Sequence, residues 1–173
     1  MSSLVIALVS LFVVLIFMLG EAVLSRRNER WLRAQGAVEP PGDVYRAMQM
    51  VYPGAFVVMA IEGAIAGSAP GATTLAGAAL FVAAKALKFW AIASLGPRWS
   101  FRVLVPPGAT SVTHGPYTWL RHPNYVAVMG ELAGMALLVG ARISGPLATM
   151  AFGLLIWLRI RVENRALRQP PWT

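Results

Sequence analysis

The sequence predicts an all-α, polytopic membrane protein with about five transmembrane helices, the last two forming a C-terminal helical hairpin. Three observations carry that reading. Hydrophobic residues fill 57% of the 173 positions and charged residues only 13%, against about 25% charged in soluble domains. Mean hydropathy is +0.63. The apolar residues gather into runs close to the ~20 that a helix needs to cross a hydrocarbon core. The spans are too few and too continuous for two units, so residues 1–173 are expected to form a single integral-membrane domain.

The first expected span is Ser3 to Leu24, with Glu21 as its only charge. Its basic cluster follows the apolar stretch instead of preceding it, the reverse of a cleaved signal peptide, so it is expected to remain as a span. The second runs from about Met48 to Ala66, with Glu62 near its end. The third, about Thr73 to Leu95, contains Lys85 and Lys88. The fourth, Asn124 to Gly140, is interrupted only by Glu131 and is slightly short at about 17 residues, which calls for local thinning, tilt or shielding by neighbours. The fifth runs from Pro146 to about Leu158 and continues as a charged helix through Leu167. Only Ala141 to Gly145 separates the fourth from the fifth, which makes the hairpin tight.

Net charge is +8. In a soluble chain that would suggest nucleic acid, but these bases flank apolar spans and no stretch interleaves them with aromatics as a single-strand groove does. Arg26, Arg27, Arg30, Arg33 and Arg46 follow the first span; Arg98, Arg102 and Arg121 lie between the third and fourth; Arg159, Arg161, Arg165 and Arg168 close the chain. Twelve of the 15 bases thus fall on one side, and only Arg142 on the other. Loops rich in Lys and Arg stay cytoplasmic, so five spans put the N-terminus outside and the C-terminus inside, in what is expected to be a bacterial inner membrane. The first-loop bases are expected to serve as a topology anchor and headgroup contact. There is no cysteine, which excludes disulfides, thiolate metal sites and a cysteine nucleophile. With only His114 and His122, no metal site is expected.

The stretch from Gly96 to Tyr125 is too polar and too rich in Pro and Gly to cross lipid. Long irregular segments in compact proteins are functional or disordered, and Trp99, Phe101, Tyr117, Trp119 and Tyr125 argue against disorder. Pro123 suits the first position of the fourth helix, where a missing N–H costs nothing. His122 then stands at the mouth of that helix, whose free N–H groups can receive a carboxylate. Gly115 would let backbone approach a ligand closely. Downstream, Arg159, Glu163 and Leu167 share one helix face, with Arg161 and Arg165 on another. A carboxylate there could bind an ammonium group or ribose hydroxyls, and an arginine could clamp an acidic group. Trp90, Trp99 and Trp119 are either substrate walls or interfacial anchors, and the anchor role is the default expectation, being the usual place for tryptophan in membrane proteins.

These residues resemble the isoprenylcysteine carboxyl methyltransferase family, and more loosely the phospholipid methyltransferases. The shared pattern is Gly115 and Tyr117, then Arg121 to Tyr125 as Arg-His-Pro-x-Tyr, then an apolar hairpin, then Arg159 and Glu163 as Arg-x-x-x-Glu on the last helix. It covers about residues 95–168 strongly and the N-terminal half in outline. The resemblance implies a cytoplasmic pocket for S-adenosylmethionine lined by Val112, Tyr117, His122, Tyr125 and Glu163, with Pro123 and Asn124 of the same motif beside them. It places Arg159 near a substrate carboxylate, and it implies a lipid or isoprenoid-like amphiphile arriving from the bilayer. The family's second adjacent acid is Asn164 here, its Phe-Gly-x-x-Tyr tail is replaced by Gln169 to Thr173, and Arg161 is an extra base.

The expected reaction is in-line attack by a substrate oxygen on a sulfonium methyl, with the protein positioning and desolvating the partners. A carboxylate acceptor needs no base. A phenol or enol does, and Glu131 inside the membrane is a candidate, against a plain polar contact with Lys85 or Lys88. His122 is the other candidate, favoured instead as a cofactor contact. The alternatives are phospholipid N-methylation, a nicotinamide-dependent membrane reductase of the sterol type, which shares an Arg-His-Pro-x-Tyr region but is much longer, and a non-catalytic membrane adaptor.

Overall fold

The computed structural model describes residues 2–67, 69–108 and 112–168, with side chains described through residue 165. The Leu167 side chain and the tail from Gln169 to Thr173, both noted in the sequence, lie outside the described residues. Five α-helices follow one another: α1 (Ser3–Ala34), α2 (Tyr45–Ala66), α3 (Ala72–Leu95), α4 (Pro123–Val139) and α5 (Ser144–Arg168). Four are long and apolar enough to cross a membrane, and α4, with 17 residues, is shorter.

Helix α1 starts at Ser2, whose hydroxyl accepts the Val5 N–H at 3.4 Å. It was expected to end near Leu24 and does not. No Gly or Pro follows until Gly36, so the basic segment Arg26 to Arg33 is helical and not a loop. At 32 residues the helix is about 48 Å long, well beyond the ~30 Å that a hydrocarbon core needs. Gly36, at φ 78°, then lets the chain turn back.

Helix α4 is the centre of the bundle and packs against all four others, most extensively α3. That enclosure answers its shortness: Ala127, Leu132 and Met135 have almost no exposed surface. The contact with α3 is backbone on backbone. A Cβ on Gly77 would lie 2.3 Å from Leu138 N, and one on Gly134 would lie 2.7 Å from Phe81 N. Small residues that let backbones meet are how helices associate where lipid removes the hydrophobic drive. Gly140, at φ 74°, caps α4 in the left-handed region, and α5 begins after a short turn. There Glu62 of α2 accepts the Ile143 and Ser144 N–H groups at 2.9 and 2.7 Å, capping the hairpin from outside it. The outer faces are apolar and open: Phe12 is 65% exposed, Leu75 73% and Met150 73%, which suits lipid and not water.

The long connection between α3 and α4 is held by the extension of α1. Asn28, buried, donates to Trp99 O at 2.8 Å and to Gly96 O at 3.4 Å, and Phe101 N–H donates to Ser25 Oγ at 2.8 Å. A single antiparallel bridge, Val38 to Val105 with both hydrogen bonds at 3.1 Å, ties the α1–α2 linker to the same connection. Short 3-10 turns at Gly96–Arg98 and Gly115–Thr118 bracket its remainder.

Candidate active site

Pro123 is the first residue of α4 and His122 its N-cap, as the sequence predicts. This sets His122 and Tyr125 on one side of the first turn, with their rings stacked at 5.4 Å and 25°. Two loop segments converge here. Trp99 Nε1–H reaches Asn124 Oδ1 at 3.5 Å. Gly115, at φ 63°, crosses α3 so closely that a Cβ would lie 2.1 Å from Ser94 Oγ, so only glycine fits.

The hairpin then delivers α5 to α4. The Tyr125 hydroxyl donates to Glu163 Oε2 at 2.9 Å and accepts from Arg159 Nε at 3.0 Å. His122 Nδ1 lies 3.8 Å from the same carboxylate oxygen, while His122 Nε2 is buried without a hydrogen-bond partner. Arg159 and Glu163, expected to share a helix face, are thus joined through Tyr125. Burial, helped by Glu163, pushes the Tyr117 phenol above its ordinary value of 10.0, so it remains a hydroxyl donor at neutral pH.

Arg159 is buried and heavily engaged. Besides Tyr125 it donates to Phe101 O, touches Met48 Sδ at 3.6 Å, and faces Asp43 Oδ1 at 3.5 Å. Asp43, in the linker before α2, also accepts the Val103 N–H at 3.4 Å. Nothing in the sequence singled out Asp43, since a lone acid in a Pro-Gly-rich linker has no periodic partner. Beyond it, Glu39 holds Arg102 at 2.6 Å and Arg33 at 2.9 Å. Burial alone would raise the Glu39 carboxyl, but the hydrogen bonds from Arg102 and Arg33 outweigh it and hold the group below its ordinary value of 4.5.

His122, Tyr125, Arg159, Glu163, Phe101 and Arg102 border one cavity of about 890 Å³, to which every helix contributes. Its lining includes Val112, Tyr117, His122, Pro123, Asn124, Tyr125, Arg159 and Glu163. The cavity continues between α1 and α2, past Leu19 and Gln49, both exposed on the outer surface, and down to Tyr52, Lys88 and Glu21. At that depth stands a buried quartet. Lys85 Nζ is 2.8 Å from Glu21 and 3.0 Å from Glu131; Lys88 Nζ is 2.7 Å from Glu21 and 3.3 Å from Glu131. Glu21 Oε2 and Glu131 Oε1 make no aligned hydrogen bond, and the Lys88 ammonium is what faces each of them. The Tyr52 hydroxyl donates to Glu131 Oε2. Glu131 therefore pairs with both lysines, and Glu21 and Tyr52, which the sequence did not tie to it, complete the set.

The pattern of the isoprenylcysteine carboxyl methyltransferase family matches residues 77–169, from within α3 through α5. The chain belongs to that family. It is 31% identical over 150 residues to YpbQ of Bacillus subtilis, whose function is uncharacterised, covering 87% of this chain and 89% of that one. An uncharacterised protein of Haemophilus influenzae is 23% identical over 145 residues, 83% of this chain and 84% of the other. No solved structure matches significantly. Membership in the isoprenylcysteine carboxyl methyltransferase family supports a membrane methyltransferase activity.

Of the motif residues, Tyr117, Arg121 to Tyr125, Arg159 and Glu163 all line the cavity and Gly115 does not; Glu131 is outside the lining and meets it through Tyr52 and Lys88. Trp99 is a correction: it is 2% exposed and packs on Phe101 at 5.2 Å inside the cavity wall, so it is not an interfacial anchor. Trp119 and Trp90, 76% and 45% exposed and in contact with each other, sit where anchors would. Arg161 points away, over the Trp157 ring at 3.6 Å.

Proposed function

We propose that this protein transfers the methyl group of S-adenosylmethionine to an oxygen of a lipid or isoprenoid-like amphiphile at the membrane. The observation that carries the reading is the His122–Tyr125–Glu163 cluster on the wall of the 890 Å³ cavity, built from two segments that both lie within the family match. The residues fit the cofactor. His122 Nε2 is a buried polar atom without a partner, a state worth about 1–3 kcal/mol to relieve. Glu163 offers a carboxylate to an ammonium or to ribose hydroxyls, Tyr117 a hydroxyl donor, and the first turn of α4 the backbone N–H of Asn124 for a carboxylate, since Pro123 has none and the Tyr125 and Val126 N–H groups are held by His122 O. When bound, the cofactor supplies a methyl carbon activated by a sulfonium sulfur.

The chain's own residues position the partners. Arg159 orients Tyr125, Tyr125 orients Glu163, and Val112, Trp99 and Phe101 keep water from the reacting atoms. Leu19 of α1 and Gln49 of α2, which both line the cavity and are exposed, mark the side from which an apolar chain would enter from the bilayer. The whole chain acts as one domain, since all five helices wall the cavity. The basic side faces the cytoplasm, where a soluble cofactor is available, in a bacterial inner membrane with the N-terminus outside.

Calorimetric titration of detergent-solubilised protein with S-adenosylmethionine tests this. Wild type is expected to bind in the micromolar range, and Glu163→Ala and His122→Ala, each shown to be folded, to bind about tenfold or more weakly, the equivalent of losing one charged hydrogen bond. Absence of binding by folded wild type, with and without lipid extract, overturns the proposal.

A further inference from the structure

We propose that Tyr52 and Glu131 form a proton-accepting relay at the deep end of the cavity, and that the methyl acceptor is accordingly a weakly acidic hydroxyl, a phenol or enol, and not a carboxylate. The inference rests on the methyltransferase reading and deepens it.

Charge balance is the first argument. The quartet contains two carboxylates and two ammonium groups, so it is neutral as it stands. Arg159 is balanced by Asp43, with their side chains 6% and 4% exposed. At Arg159 an acceptor carboxylate would have to displace Asp43, and drawn down to Tyr52 it would lie beside Glu21 with both ammonium groups already paired, leaving only the cofactor's sulfonium to oppose it. A neutral hydroxyl meets neither cost. The hydroxyl of Tyr52 points the same way. The four charged groups already neutralise one another without it, yet it donates to Glu131 Oε2 from a ring that lines the cavity. That leaves its oxygen able to accept a proton from a bound hydroxyl. Each helix packed on α4 contributes around Glu131: Glu21 from α1, Tyr52 from α2, Lys85 and Lys88 from α3, while α5 presents to Tyr52 the uncharged ring of Phe152 at 5.0 Å. Glu131 lies eight residues into α4, about 12 Å below the helix mouth, so the reacting headgroup sits between the cofactor cluster and the quartet.

In the step, the acceptor oxygen forms a bond to the methyl carbon as the sulfur–methyl bond breaks, its electron pair staying on sulfur. The hydroxyl proton passes to Tyr52 Oη while the Tyr52 proton passes to Glu131 Oε2. The quartet then holds one positive charge in excess, next to Lys85 and Lys88, which favours loss of the proton to water as the ether product leaves.

The test uses a long-chain alkyl nitrophenol, whose colour changes on ionisation, added with S-adenosylhomocysteine so that no turnover occurs. Tyr52→Phe removes one oxygen and leaves the charges intact; Glu131→Gln removes the acceptor and leaves two ammoniums facing one carboxylate. With S-adenosylhomocysteine binding unchanged as the folding control, the bound phenol is expected to ionise at lower pH in wild type than in Tyr52→Phe, while Glu131→Gln, whose excess ammonium itself favours a phenolate, is read by turnover. Its methylation is expected to fall about 100-fold or more in kcat, the scale of general base catalysis, with KM little changed. Equal ionisation and equal kcat in Tyr52→Phe overturn the relay, as does methylation of dodecanoate, in place of the phenol, at wild-type rate by Glu131→Gln. Either result leaves methyl transfer standing. Failure to bind S-adenosylhomocysteine removes the methyltransferase reading, and the relay with it.

Discussion

Arg159 and Asp43 show how a residue's task is set by its partners. An arginine four positions before a glutamate on an exposed helix face would be worth about 0.3–0.5 kcal/mol. Here the guanidinium is buried among α2, the long connection and α4, and removing Asp43 alone would strand a charge at a cost of about 3–5 kcal/mol. Glu39 is the surface counterpart, about one quarter exposed, and its effect is conditional on pH. Because its folded-state carboxyl titrates below its ordinary value of 4.5, its contribution is present above that value and is lost as pH falls through the folded value. Between about pH 6 and pH 3 the wild-type melting temperature is therefore expected to fall further than that of Glu39→Gln, which keeps the Val38–Val105 bridge without the titrating group. Identical slopes in a thermal-unfolding series would show that Arg33 and Arg102 do not hold Glu39 in solution.

At the level of elements, α1 and α4 depart from a uniform set of spans in opposite directions, one too long and one too short. The excess of α1 becomes a clamp on the long connection through Ser25 and Asn28. The shortness of α4 is tolerated because α3 lies against it through Gly77 and Gly134. Glycine in a helix normally costs about 1 kcal/mol relative to alanine, so substitution should have opposite signs at two sites. Gly20→Ala in α1, with nothing within 4 Å of the new Cβ, should leave stability unchanged or raise it by up to about 1 kcal/mol. Gly134→Ala forces α3 and α4 apart and should cost about 1–3 kcal/mol. Thermal unfolding in detergent compares the two, and equal shifts would mean that the α3–α4 contact is looser than it is here. Only the α4 mouth and the hairpin were legible locally, because Pro123, Gly140 and the short turn are signals carried by neighbouring residues.

For the whole molecule, the uneven bases predict an orientation that the natural absence of cysteine makes easy to test. A single cysteine at Arg142→Cys, in the α4–α5 turn, should react with a membrane-impermeant maleimide on intact cells. One at Arg30→Cys, on the α1 extension, should react only after permeabilisation. The reverse pattern would put the active site on the outer face and cut it off from a cytosolic cofactor.

The sequence by itself determined the presence of five helices, though not where the first one ends, their lipid-facing character and the motif residues that line the cavity. Hydrophobic runs and the spacing of Arg121 to Tyr125 and of Arg159 and Glu163 are properties of chain-neighbouring residues, and so is the side of the membrane that the bases predict. Tertiary structure alone decided that Asp43 meets Arg159, that Trp99 turns inward, and that Glu21, Tyr52, Lys85, Lys88 and Glu131 form one buried set. The charged contacts among these join five helices and a linker across 43 to 116 residues of chain. No periodicity or motif encodes them, because what selects them is the cost of leaving each charge unpaired away from water, and that cost exists only once the helices are packed.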